Sequence, residues 1–517
     1  MKKSHRPAPA ASRRARSESR PAEEGTNRPR TAAARSASVP VAAGQTVEVE
    51  IVGMTHEGEG VGRVEGYTLF VAGALPDERV RAEVRSVGAS YGRARLLSVV
   101  RPAPGRRRPP CPIYAECGGC QLQHWDYEAQ LRWKRRHVAD NLARIGKLPV
   151  ADALSPSPAS ADERPPVVVH PTIGMADPWR YRNKAQVPIG AGEGGLVGGF
   201  FEQGSHDIVD MDACLIQSSE NESAVCAVKR IARSLGLSPY DRQSGRGLLR
   251  HVIVRHARAT GQIMVVLVTA ARDLPHADEL VSLIRAEIPG VTSICQNIQP
   301  ARTSLVFGDE TRVLWGDDVI YDEIGGIRFA VSARSFFQVN PEQTEKLYRQ
   351  TLAYAGLTGN ETVVDAYCGI GTITLFLARH ARQVYGVEIV PEAIADARRN
   401  ARLNGIGNVE FVAGAAEDVM PRWQAAGIRP DVVVVDPPRK GCNPALLDTI
   451  LAMRPARIVY VSCNPSTLAR DLRRLEDGDY RTVEAQPVDM FPWTVHVECI
   501  VRLERKDTHD REIQTNS

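Results

Sequence analysis

From Glu342 to the end of the chain, short β-branched runs alternate with helical stretches, and this rhythm restricts the fold more than any other feature. Glu342 to Ala355 reads as a helix, and Thr362-Val-Val-Asp-Ala366 as a strand that ends in Tyr367-Cys-Gly-Ile-Gly-Thr372, with a second helix from Ile373. Gln383 to Glu388, Val409 to Val412, Asp431 to Asp436 and Ile458 to Val461 are further strands, and a helix is expected from Pro391 to Asn404. Parallel strands need helical crossovers, so residues 331–505 are predicted to form a doubly wound, Rossmann-like α/β domain. His496 to Val501 is expected to close it as an alternating edge strand.

In such sheets ligands bind beyond the carboxyl ends of the strands. Three acidic residues stand at or near such ends: Asp365 before the Gly-x-Gly turn, Glu388 about twenty residues on, and Asp436 in Asp-Pro-Pro-Arg439. Glu388 occupies the place where a carboxylate grips ribose hydroxyls, and the glycines let the backbone approach a ligand. A dinucleotide prefers a third glycine for its pyrophosphate, but position 374 is Thr. S-adenosylmethionine, which carries no phosphate, fits better. Cys463 follows the strand Ile458-Val-Tyr-Val461 and precedes Asn464-Pro465, which stops it. A thiol there is either a small core residue or a covalent nucleophile.

The rest of the chain has a different texture. Residues 1–41 are rich in Arg, Pro, Ala and Ser and read as a disordered basic tail, suited either to seeking phosphate or to solubility alone. Residues 42–100 hold five short strand signals, among them Thr46-Val-Glu-Val-Glu-Ile-Val52 and Val80-Arg-Ala-Glu-Val84, as in a small oligonucleotide-binding barrel. Arg79, Arg81, Arg85, Arg93 and Arg95 are expected to give it a basic face, with Tyr91 for stacking. Residues 101–125 carry Arg106-Arg-Arg-Pro-Pro and then Cys111-x5-Cys117-Gly-Gly-Cys120, a thiolate set for zinc or an iron–sulfur cluster that needs a fourth ligand. Cys214 is the leading candidate. Residues 126–330 are expected to be a mixed α+β domain. It begins with an amphipathic helix whose Lys134, Arg135, Arg136 and His137 are exposed, and contains a cation–aromatic patch, Trp179-Arg-Tyr-Arg-Asn-Lys184. Residues 151–166 read as a linker and 506–517 as a tail.

Composition excludes several classes of function. No run of eighteen apolar residues or secretory segment is present, so neither a membrane span nor export is expected. Ten cysteines in 517 residues of such a chain point to reduced thiols, metal ligands or catalysis, and to the cytoplasm. The net charge of +4 is too small to identify a partner.

Six motifs occur in order: Cys111-x5-Cys-Gly-Gly-Cys120, Phe336-Phe-Gln-Val-Asn340, Asp365-Ala-Tyr-Cys-Gly-Ile-Gly-Thr372, Asp436-Pro-Pro-Arg-Lys-Gly441, Ser462-Cys-Asn-Pro465, and Asp489-Met-Phe-Pro followed by His496-Val-Glu498. Together they resemble the RNA (uracil-5-)-methyltransferase family, and Gly58 to Arg63 with Phe70-Val resembles its TRAM domain. The resemblance spans about residues 42–503. It implies S-adenosylmethionine-dependent formation of 5-methyluridine, with 23S ribosomal RNA as the favoured substrate. It further implies Cys463 as nucleophile and Glu498 as general base, Gln338, Tyr367, Glu388 and Asp436 as donor contacts, and Cys111, Cys117, Cys120 and Cys214 around a [4Fe-4S] cluster. Arg439 is the expected source of positive potential at Cys463. A monomer without protein partners is expected. Transfer RNA as substrate, methylation of an exocyclic amine, and a non-catalytic iron–sulfur RNA-binding scaffold are the alternatives.

Overall fold

The computed structural model describes residues 39–151, 165–192 and 195–506; the expected tails therefore lie almost wholly, and the linker largely, outside the described residues. The strands Thr46–Met54, Glu59–Val64, Tyr67–Ala72, Arg79–Val87 and Tyr91–Arg101 close into a barrel. Alternation sends Val49, Ile51, Val71, Val80 and Ala82 inward, and the intervening Glu and Arg outward. That outer face is not the free basic surface expected. Arg79 and Arg81 pair with Glu48, Arg85 and Arg95 with Glu83, and Arg93 with Glu57 and Glu59, because acidic residues alternate on the same strands.

Two larger sheets follow. The central one has seven strands, with Leu249–His256, Ile263–Thr269 and Val291–Ile298 at its middle. The last two of these run parallel, joined by the helix Ala277–Glu287, within an otherwise antiparallel sheet. The second sheet runs Val409–Ala413, Gln383–Glu388, Thr362–Ala366, Val432–Val435, Arg457–Ser462, Glu498–Arg505, Tyr480–Val488 and Val168–Val169. Its first five strands are parallel, as predicted. The Glu498–Arg505 strand is not an edge. It lies antiparallel between Arg457–Ser462 and Tyr480–Val488, which accounts for its nearly continuous burial from Glu498 to Leu503. Successive residues of the parallel strands serve opposite faces. Val363, Val434 and Val459 pack with Met264 and Val266 of the central sheet, while Val364, Val433 and Tyr460 pack with Val138 and Leu142 of the helix Tyr127–Arg144. That helix buries Lys134 completely, contrary to its expected exposure.

Candidate active site

Cys463 is set by the end of one element and the start of the next. The strand Arg457–Ser462 stops there. The Asn464 side chain accepts from the Ser466 amide to cap the helix Pro465–Asp477, whose first position needs no N–H and takes proline. The antiparallel register pairs Ser462 with Cys499, so one further step sets Cys463 opposite Glu498. Asp436 follows the neighbouring parallel strand, and its amide reaches the Ala366 carbonyl at 3.4 Å. The Arg439 carbonyl accepts from Asn464 Nδ2 at 3.0 Å and Thr467 Oγ1 at 3.1 Å, which ties the Asp-Pro-Pro-Arg loop to the thiol. Buried Asp471 strengthens the tie by accepting from the Cys442 amide (2.8 Å) and the Tyr460 hydroxyl (2.7 Å). Gly441 has φ +81° and passes so close that a Cβ would lie 2.5 Å from Asp471 Oδ2.

Electrostatics at the thiol differ from expectation. Burial, then Glu498 and Asp436, raise Cys463 to about 11; Arg439 opposes them but does not prevail. Burial, helped by Asp436, raises Glu498 to about 8, again against Arg439. Burial raises Asp436 to about 7. Near neutral pH this arrangement holds a thiol facing a largely protonated carboxyl. Arg439 also lies 3.5 Å from His496 Nε2, and burial followed by Arg439 lowers that imidazole to about 4, which keeps it neutral.

On the other side of Asp436 lies the glycine turn. Gly371 has φ +83°, and a Cβ there would press on Phe411 at 3.1 Å. Glu388 accepts from the Gly369 amide (3.3 Å) and the Val390 amide (3.0 Å), so its carboxylate borders the turn. Thr374, in place of the third glycine, donates to Asp365 Oδ2 at 2.6 Å; burial raises this wholly buried carboxyl to about 7. Tyr367 has φ +68° and is half-buried beside Cys442, whereas Cys368 is packed under Gly386. The Gln338 carbonyl is held by Asn183 Nδ2 at 3.1 Å, while Arg255 Nη2 donates to the Ser335 carbonyl at 2.5 Å. The loop carrying Gln338 is thus anchored by Arg255 of the central sheet and by Asn183 just before it, while Tyr367, Glu388 and Asp436 stand at the carboxyl ends of the parallel strands.

Cys111, Cys117, Cys120 and Cys214 line one cavity of about 360 Å³ together with Arg182 and Lys184. Among the described residues no three His, Cys, Asp or Glu side chains form a site for one metal ion. The thiols are spread around the wall instead. Backbone passes close beside them: a Cβ on Gly118 would stand 3.0 Å from the Phe201 carbonyl, and one on Gly119 would lie 3.4 Å from Cys117 Sγ. Burial raises Cys214 to about 11 and Cys120 to about 12, and the thiols raise one another. Burial, then Arg255 and Arg182, push the Lys184 amine down to about 7, so Arg182 is the lasting positive charge on the wall. Four sulfur donors, close backbone and that guanidinium fit a thiolate-bound inorganic centre.

The cavity and Cys463 are joined by a segment that sequence reasoning did not resolve. The Gln121 and Leu122 amides, next to Cys120, both donate to the Trp493 carbonyl (3.0 and 2.9 Å). Trp493 has φ +68°, stacks on Trp179 at 4.2 Å and donates Nε1–H to the Pro178 carbonyl. Lys134 donates to Asp489 at 2.6 Å, and the Tyr181 hydroxyl to the Pro492 carbonyl at 3.1 Å. The cation–aromatic run Trp179 to Lys184 therefore serves mainly as internal packing around residues 489–497, which lead into Glu498. Asp489 and His496 lie in a recognised motif and were findable. Lys134 is 355 residues from its partner, and nothing local marks the pair.

Comparison with known proteins agrees with this geometry. A family model described as tRNA (Uracil-5-)-methyltransferase matches residues 323–506, and one for the TRAM domain matches residues 40–97. The chain is similar to an uncharacterized RNA methyltransferase of Halalkalibacterium halodurans, 57% identical over 90% of this chain and 99% of the relative. One from Bacillus cereus is 52% identical over 90% and 98%. Among solved structures, the Pyrococcus abyssi tRNA (uracil-54, C5)-methyltransferase in complex with S-adenosyl-L-homocysteine superposes with a TM-score of 0.68. It is 28% identical over 88% of this chain and 99% of that one. No helix among the described residues is long and apolar enough to cross a membrane. The chain belongs to the RNA (uracil-5-)-methyltransferase family and is an S-adenosylmethionine-dependent RNA methyltransferase.

Proposed function

We propose that the protein forms 5-methyluridine in 23S ribosomal RNA, in the cytoplasm, with Cys463 as nucleophile and Glu498 as general base. The observation that supports this reading is the ladder that ends at Ser462 and Cys499, beyond which Cys463 comes within reach of the Glu498, Asp436 and Arg439 charges. Uracil C5 is too weak a nucleophile to accept a methyl group unaided. Cys463, once deprotonated, bonds through Sγ to C6, and the displaced electron pair makes C5 an enolate carbon. C5 then takes the methyl group that S-adenosylmethionine supplies when bound. Glu498 as carboxylate removes the C5 proton, the Sγ–C6 bond breaks, and the thiolate is regenerated. Gln338, Tyr367, Glu388 and Asp436 hold the donor, with Glu388 at the ribose. The target base is unstacked to reach them.

Cys111, Cys117, Cys120 and Cys214 would hold a [4Fe-4S] cluster. Their spread around a cavity suits a polynuclear centre better than one zinc ion, and the chemistry it supplies is structural, since methyl transfer has no redox step. Transfer RNA is the second reading, favoured by the substrate named for the P. abyssi enzyme. Mass mapping of 5-methyluridine in host cells lacking the gene decides between them. Loss of a site in 23S RNA supports the first reading and loss in transfer RNA the second. An unchanged map rejects both.

A further inference from the structure

The barrel was the expected basic surface, yet the five arginines expected to form it are matched by glutamates. A different surface carries cations without such partners. The strands Leu249–His256, Ile263–Thr269 and Val291–Ile298 bring Leu249, Thr269 and Ile298 to one edge of the central sheet, where residues 238–248 and 299–309 emerge side by side. The two loops are locked together. Buried Arg250 donates Nη1 to the Gln299 and Ala301 carbonyls, both at 2.7 Å, and stacks 4.2 Å from the Tyr240 ring centroid. Arg302 donates to the Ser244 carbonyl and lies over Gly245, whose φ is +72°.

Within the first loop the Asp241 carboxylate is occupied in holding the turn. It accepts from the Gln243 amide at 2.8 Å and the Ser244 hydroxyl at 2.8 Å. Arg242 and Arg246 are exposed and make no ion pair with a described residue. The second loop leads toward the active site: Arg334 donates to the Asp309 carbonyl at 3.0 Å, four residues before Gln338, and Lys184 lies 5.8 Å from the Phe307 ring centroid. The result is a braced, two-loop ridge with unpaired guanidinium groups at its crest and the donor-side segment at its foot.

We infer that this ridge is an RNA-docking surface, on which Arg242 and Arg246 hold the phosphates of the strand flanking the target uridine, with Arg302 bracing the loop beneath them. Guanidinium groups suit phosphate through forked hydrogen bonds, and a surface braced from within loses little entropy when it binds. RNA is favoured over an acidic protein because the ridge abuts the segment carrying Gln338. This inference rests on the RNA-uridine reading above.

The test is steady-state methylation of an unmodified 23S transcript by full-length, cluster-loaded enzyme carrying Arg242→Ala and Arg246→Ala together, over a series of salt concentrations. The expected result is an apparent KM for RNA raised about tenfold, with kcat at saturating RNA and the affinity for S-adenosylmethionine unchanged. The dependence of log KM on log salt should become shallower by about 1.4, the value for two single-strand phosphate contacts. The Arg242→Lys, Arg246→Lys enzyme should recover most of the loss. Unchanged KM and salt slope in the alanine enzyme, while the unaltered enzyme methylates the transcript, would overturn the ridge alone. If the unaltered enzyme methylates no RNA, the uridine reading falls and the ridge with it.

Discussion

The two thiol sites make an instructive contrast. Cys120 and Cys214 in the cavity, and Cys463 at the strand end, are all raised above an ordinary thiol, and burial is the largest cause in each case. Their neighbours differ. The cavity thiols face one another, the Arg182 guanidinium and the Lys184 amine, which is itself pushed down to about 7, an arrangement that the proposed polynuclear centre would relieve all at once. Cys463 faces two carboxyls and one guanidinium, so its charge state depends on a proton balance that substrate and donor shift on arrival. Burial alone therefore does not say what a thiol is for. The chemical identity of what lies within a few ångströms does.

Substitutions at Cys463 test that contrast most severely. Cys463→Ala should abolish the covalent RNA adduct and lower methyl transfer at least about 10⁴-fold, measured with labelled S-adenosylmethionine. A residual rate near wild type would favour direct methylation of an exocyclic amine. Glu498→Gln should slow product release about 10²–10⁴-fold while letting the first step proceed, so adduct accumulates on a denaturing gel. Adduct failing to accumulate would mean that another group removes the proton.

The link between the sites gives two smaller effects. Lys134→Met leaves Asp489 buried without its cation and should cost about 3–5 kcal/mol in denaturant unfolding. Cys120→Ser should remove bound iron and lower turnover about 10–100-fold, with a change in tryptophan fluorescence as the Trp179–Trp493 stack loosens. Loss of iron without that fluorescence change would separate the cavity from residues 489–497.

The smallest expected effect is in pH dependence. Asp365, Asp436 and Glu498 have folded-state pKa values of about 7, 7 and 8, above their unfolded values near 4. Folding takes up protons at these groups between those limits, so their contribution to stability is lost as pH rises through 7 to 8. Melting curves of Asp365→Asn should show a shallower decline between pH 5 and 9 than those of the unaltered protein. An identical slope would show that Asp365 is already ionised in the folded state.

The amino-acid sequence by itself determined the alternating strands and helices after Glu342, the order of six motifs, and the residue types at each strand end. These are local properties: periodicity, the Asn464-Pro465 stop and the Gly369-x-Gly371 turn need no distant partner to be read. Tertiary structure decided the rest. The final strand became internal because Tyr480–Val488 packed outside it. Lys134 left solvent because Asp489 came to meet it. The barrel arginines were neutralised across strands, while Arg242 and Arg246, on a braced loop, were not. Charge pairing, burial and register depend on what the folded chain places alongside a residue, and that information is distributed over hundreds of positions rather than written beside the residue itself.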